Sequence, residues 1–97
     1  MSHGDVQLES ENFRVTQWVL QPEEEIPLHL HEHHYVVVPL VNGTLKVVPT
    51  EGDSFELALT KGVAYERSAG AHHVVGNAGS EELRFLEVEN LHTGLTG

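Results

Sequence analysis

The sequence predicts an all-β domain. Turn signals recur about every 8 to 12 residues, the apolar runs between them are short and rich in β-branched and aromatic residues, and no 3.6-residue period is sustained long enough for a helix. That spacing favours a sandwich or barrel over alternating βαβ units.

The first expected strand, Phe13 to Leu20, mixes aromatic and β-branched residues and ends at Gln21-Pro22, after which Glu23-Glu24-Glu25 reads as a solvated loop. Ile26 to His31 is the next strand. It leads through His33-His34 into Tyr35 to Val41, and Asn42-Gly43 is expected to turn a tight hairpin back into Thr44 to Val48. Beyond Glu51-Gly52-Asp53, the run Ser54 to Leu59 places Phe55, Leu57 and Leu59 opposite Glu56 and Ala58, the alternation of a half-buried strand. Val63 to Arg67, His72 to Asn77 and Leu83 to Val88 complete eight or nine strands. No linker or repeat divides the chain, so residues 1–97 are read as a single domain; the glycine-containing tail 91–97 is expected to fray.

With 97 residues, folding buries only about 60 to 65% of the surface of the unfolded chain, enough for one modest core. There is no cysteine, which excludes disulfides and thiolate ligands and leaves His, Asp, Glu and water to hold any metal. Fifteen acidic against five basic residues, a formal charge of −10, oppose nucleic acid and anionic lipid as partners. No apolar run approaches the roughly 20 residues of a membrane span. The N-terminus lacks the basic and apolar regions of a signal peptide, so cytoplasm is the default expectation. Val36 to Val41 is apolar on both faces, with Pro39 suited to an edge or bulge; a second subunit covering the outer face, as a homodimer, is expected.

Six of the eight histidines fall in two clusters, His29-His31-His33-His34 and His72-His73, while His3 and His92 lie near the termini and are expected to be exposed. His29 and His31 are two residues apart, which on a strand points both imidazoles to one face, where they can chelate. In the second cluster, neighbours on a strand point oppositely, so one of the pair faces away.

These residues resemble the cupins, small jelly-roll β-barrels that hold one metal between two motifs. The first motif, G(X)5HXH(X)3–4E(X)6G, is met by His29, His31 and Gly43, with Glu23 in the leading glycine position. The second, G(X)5PXG(X)2H(X)3N, is met by Gly62, Gly70, His73 and Asn77, with Ser68 where proline is usual. The motifs span residues 23–43 and 62–77. The resemblance implies a cupin-type jelly-roll barrel with His29, His31 and His73 as ligands of a divalent transition metal: Fe, Mn, Ni, Zn or Cu. The motif glutamate falls on Tyr35 or Val36, so the acidic ligand is missing, and three neutral imidazoles leave the ion's charge uncompensated.

An electropositive open site suits a small anionic or oxygen-rich ligand or substrate. Tyr35 or His34 is expected to transfer protons, and Arg67 to clamp a substrate carboxylate. The resemblance leaves the fourth protein position vacant or filled unusually, with His34, Tyr35 and His33 as candidates. Glu87 and Glu89, alternating with Leu86 and Val88, read as an outer polar face, an inward Glu87 being the alternative. Trp18 and Phe85 are read as core. Two functions follow: a metal-dependent oxygenase, isomerase or lyase, or a non-catalytic module that binds or senses a small molecule.

Overall fold

The structure is a computed structural model and describes residues 3–93, with the side chain of His3 and residues 94–97 outside the description. Among the described residues nine strands run in chain order: β1 (His3–Glu9), β2 (Phe13–Leu20), β3 (Glu25–Leu30), β4 (Tyr35–Pro39), β5 (Gly43–Pro49), β6 (Phe55–Leu59), β7 (Tyr65–Arg67), β8 (His72–Asn77) and β9 (Leu83–Asn90). All pairings are antiparallel. They make a five-stranded sheet in the order β1-β2-β9-β4-β7 and a four-stranded sheet in the order β3-β8-β5-β6. Among the described residues, no helix is long and apolar enough to cross a membrane.

The core lies between the two sheets and is drawn from both, with Leu20, Val37, Leu83 and Phe85 on one side and Ile26, Leu45, Leu59 and Val75 on the other. Full burial of a side chain such as Phe85 contributes about 1.5–3 kcal/mol.

Three elements depart from the sequence-based expectation. β1 was not anticipated; its described residues are exposed, so it carries no core stripe to betray it, and it is held by pairing with β2. Asn42-Gly43 does not close a hairpin. β4 belongs to the five-stranded sheet and β5 to the four-stranded one, so this dipeptide carries the chain across the sandwich. Gly43 is required for space, because a Cβ there would collide with Cδ2 of the buried Leu83. Pro39 is buried, at the end of β4 where pairing with β7 has already stopped at Val37, so its missing N–H breaks no bond to that neighbour.

The remaining departure decides the site. β3 pairs with β8 through Ile26↔Val75 and then His29↔His73, three residues on one strand against two on the other, with the extra residue at Pro27-Leu28. Without this bulge Ile26, which is buried, would set Leu28 and Leu30 inward and turn both histidines to solvent. With it, Leu28 and Leu30 are 53% and 49% exposed and His29 and His31 face the core side. Proline is tolerated there because β3 is an edge strand.

Candidate metal centre

His29 and His73 are directly opposed across the β3–β8 ladder, and their rings meet edge to face with centroids 4.7 Å apart. His31 is one residue beyond β3, yet its backbone remains tied, its N–H donating to the Ala71 carbonyl (2.8 Å) and its carbonyl accepting from Gly70 N–H (2.8 Å). Gly70 has φ +102°, a conformation that L side chains rarely adopt, which accounts for glycine at this motif position. Each of the three histidines offers a ligand nitrogen, and these atoms lie within 4.8 Å of one another. His72, the neighbour of His73, is exposed.

The donors are oriented for an ion. His29 Nδ1 lies 2.7 Å from the Pro27 carbonyl, an obligate acceptor, so this nitrogen carries the proton and Nε2 presents its lone pair inward. His29 Nε2 and His31 Nε2 are 2.9 Å apart. Burial, followed by the neighbouring imidazoles, lowers His31 to about 4; burial and then His29 lower His73 to about 4. Both are therefore neutral near pH 7, the state in which imidazole binds metal. Neutral nitrogen donors at this spacing, with the tautomer of one set by a backbone carbonyl, fit a divalent transition ion.

Beside the triad, a cavity of about 240 Å³ opens between the sheets. Its walls are mainly apolar, including Val37, Val47, Leu57 and Phe85, and its polar groups are Tyr35, Tyr65, Arg67, His72, His73 and Glu87. Tyr35 is 3% exposed and stacks on His31, with centroids 4.0 Å apart and planes 19° apart. Its hydroxyl is raised above the usual phenol range by burial first and by Glu87 second. Tyr65 is pushed up to about 12, again chiefly by burial. Both are proton-bearing near neutrality. Arg67 is exposed, with its guanidinium 5.2 Å from the Tyr65 ring centroid.

His33 and His34 are not among the lining residues. His33 Nδ1 lies 2.8 Å from the Thr93 carbonyl, and His34 Nδ1 accepts from Ala69 N–H at 2.7 Å. These contacts pin the 32–34 loop to Thr93 and to the 68–70 turn. The expected frayed tail is anchored through residues 91–93: Leu91 N–H donates to Asn12 O, and His92, which is exposed, lies 2.8 Å from Asn12 Oδ1. Its last four residues, 94–97, and the side chain of His3 lie outside the described residues.

Glu87 is the cavity-lining residue that the sequence pattern places on the wrong face. It shares parity with Leu83 and Phe85, both 1% exposed, and so points inward with them. Glu89 is on the same side and pairs with Arg14 through two bonds of 2.9 and 3.0 Å. The usable signal was Phe85: on a strand apolar at both parities, the larger buried aromatic marks the core face. Glu87 accepts from Trp18 Nε1–H at 2.9 Å, and its other oxygen is 3.8 Å from His31 Nε2. Burial pushes its carboxyl up to about 7, against the Trp18 bond, which lowers it.

With a two-sheet barrel and an inward histidine triad established, comparison with known proteins is decisive. The cupin-domain family model matches residues 16–89, most of the chain. The chain belongs to the cupin family. This cupin is 44% identical over 84 residues to the beta-alanine degradation protein BauB of Pseudomonas aeruginosa, covering 87% of each chain. It superposes on a cupin domain from Bordetella pertussis with a TM-score of 0.88 and 38% identity, covering 92% of each. The polyketide cyclase RemF from Streptomyces resistomycificus has the same fold at 20% identity and a TM-score of 0.71, covering 92% of this cupin and 64% of that chain.

Proposed function

We propose that this cupin holds one divalent transition ion, Fe, Mn, Ni, Zn or Cu, through His29, His31 and His73, and acts as an enzyme on a small anionic or oxygen-rich molecule in the adjoining cavity. The convergence of three imidazole nitrogens beside that cavity carries the reading. Its volume, about 240 Å³, lies below the usual range for drug-sized ligands and suits a small one. BauB carries the name of beta-alanine degradation, and beta-alanine is a small carboxylate, which supports that ligand class.

When bound, the ion supplies Lewis-acid polarisation of a carbonyl or carboxylate, or, if it is iron, reaction with dioxygen. The protein's groups divide the remaining work. Arg67 at the cavity wall offers a fork of donors to a carboxylate. Tyr35, with its raised hydroxyl, acts as a hydrogen-bond and proton donor toward a developing negative oxygen. The apolar walls restrict water around the reacting atoms.

The test is metal analysis of protein purified without immobilised-metal chromatography, followed by loading with each ion. About one ion per chain is expected, lost in His29→Ala and His73→Ala; wild-type protein that takes up none of Fe, Mn, Ni, Zn or Cu refutes the proposal. The second reading, a binding or sensing module, rests on the absent motif glutamate. Thermal stabilisation of the metal-loaded protein by a small carboxylate with no turnover in any metal form would select it.

Two copies are further proposed to associate through the outer face of the five-stranded sheet. Val36↔Val88 and Val38↔Leu86 pair there, and Val15 adjoins Val88, all only half-buried in one chain. Sedimentation at micromolar concentration should report a dimer; a monomer throughout rejects it.

A further inference from the structure

The first motif puts Tyr35 or Val36 where cupins carry their acidic ligand, yet a carboxyl group stands one strand away. Within the five-stranded sheet β9 lies beside β4, with Glu89 opposite Tyr35 and Glu87 opposite Val37. Glu87 thus reaches the same space between the sheets from a strand outside both motifs. Its carboxyl is nearly enclosed, its side chain only 12% exposed. Arg14, which faces the same side of the sheet, is already bound to Glu89 and not to Glu87. Among the described residues Trp18 is the one hydrogen-bond donor to this carboxyl, and it is neutral; a buried carboxylate so partnered is costly unless a cation stands beside it.

We propose that Glu87 supplies the fourth protein ligand of the metal centre, replacing the missing motif glutamate from β9, with Trp18 as the positioning residue that holds its other oxygen. This rests on the histidine metal site proposed above. Trp18 fixes Oε1, leaving Oε2 as the free ligand atom, 3.8 Å from His31 Nε2. Two atoms each about 2.0–2.2 Å from a shared ion can lie up to about 4.4 Å apart. The cluster of three imidazole nitrogens within 4.8 Å does not itself include Glu87, so its carboxyl must advance toward them while Trp18 keeps hold of Oε1. Joining the ion lowers the site from net +2 to net +1.

Glu87→Gln tests this with little change of volume and retains an acceptor for Trp18. Affinity for Co²⁺, measured by competition with a chromophoric chelator, is expected to fall about 10- to 100-fold, with a shift in the visible Co²⁺ bands. Trp18→Phe keeps the carboxylate and removes its anchor, so a smaller fall is expected. Affinity within twofold of wild type, or a fall in affinity with superimposable Co²⁺ bands, overturns ligation by Glu87. Circular dichroism of the metal-free variants checks that the barrel is intact. Should Glu87→Gln fail to fold, Glu87→Asp replaces it; its shorter reach should lower affinity and shift the bands, and a wild-type spectrum at wild-type affinity would overturn the proposal. Wild-type protein that binds no ion overturns the histidine site itself, which separates that failure from this one.

Discussion

Replacing Asn77 tests why the second motif ends on asparagine. Asn77 is buried, and its amide makes three hydrogen bonds: Nδ2 donates to the Leu20 carbonyl (3.0 Å) and the Glu81 carbonyl (2.7 Å), and Oδ1 accepts from Gly79 N–H (2.9 Å). These bonds link the end of β8 to the end of β2 in the opposite sheet and close the 77–81 turn. Asn77→Ala removes all three, at about 1 kcal/mol each, and strands backbone groups beside the fully buried Leu20. The expected loss is therefore about 3 kcal/mol, or roughly 12–24 °C in Tm at about 4–8 °C per kcal/mol for a domain of this size. Asn77→Asp is expected to be at least as damaging at pH 7, because it keeps only the Gly79 acceptor and turns a carboxylate toward two carbonyls. Urea unfolding with an unchanged m value measures the difference. A loss below about 1 kcal/mol for Asn77→Ala would refute the reasoning, since water would then be replacing the amide.

Glu23 occupies the motif's leading glycine position with φ +70°, so Glu23→Gly, freed of the left-handed backbone cost, should stabilise by about 1 kcal/mol in urea melts; a loss would show that the loop tolerates glutamate without strain. In the metal-free protein, His31 and His73 at about 4 refuse protons that the unfolded chain binds near 6.5, so their contribution is complete above pH 6.5 and lost as pH falls toward 4. Glu87, raised to about 7, works in reverse: its contribution is full below about 4.5 and lost as pH rises through 7. Two histidines outweigh one carboxyl between pH 6.5 and 4.5, so Tm in the presence of chelator should fall across that window, and more steeply in Glu87→Gln; a flat or rising wild-type profile contradicts the assignment.

The all-β class and most strands were legible because short, β-branched runs cut by Gly, Pro, Asn and Asp signals are a local property. The histidine triad was legible too, through two fixed spacings. What spacing could not supply was direction. His29 and His31 share a face whichever way that face turns, and Ile26 taken alone would have turned it outward. The bulge at Pro27-Leu28 that reverses the parity exists because β3 must meet Val75 and His73 on β8 in the same ladder, a non-local requirement. The crossing at Asn42-Gly43 escaped for the same reason, since a dipeptide suited to a hairpin does not say which sheet its second strand will join.

Glu87 marks the boundary most clearly. Leu83 to Asn90 has apolar residues at both parities, one set covering the core and the other the half-buried outer face, so the pattern on that strand permits either orientation. By itself the sequence determined a β domain, three histidines at ligand spacing, and a vacancy where an acid was expected. Only the tertiary structure decided that a carboxyl from β9 stands beside that vacancy and that His34 is tied to the 68–70 turn, because both depend on which strands lie side by side, and pairing is a property of the whole sheet.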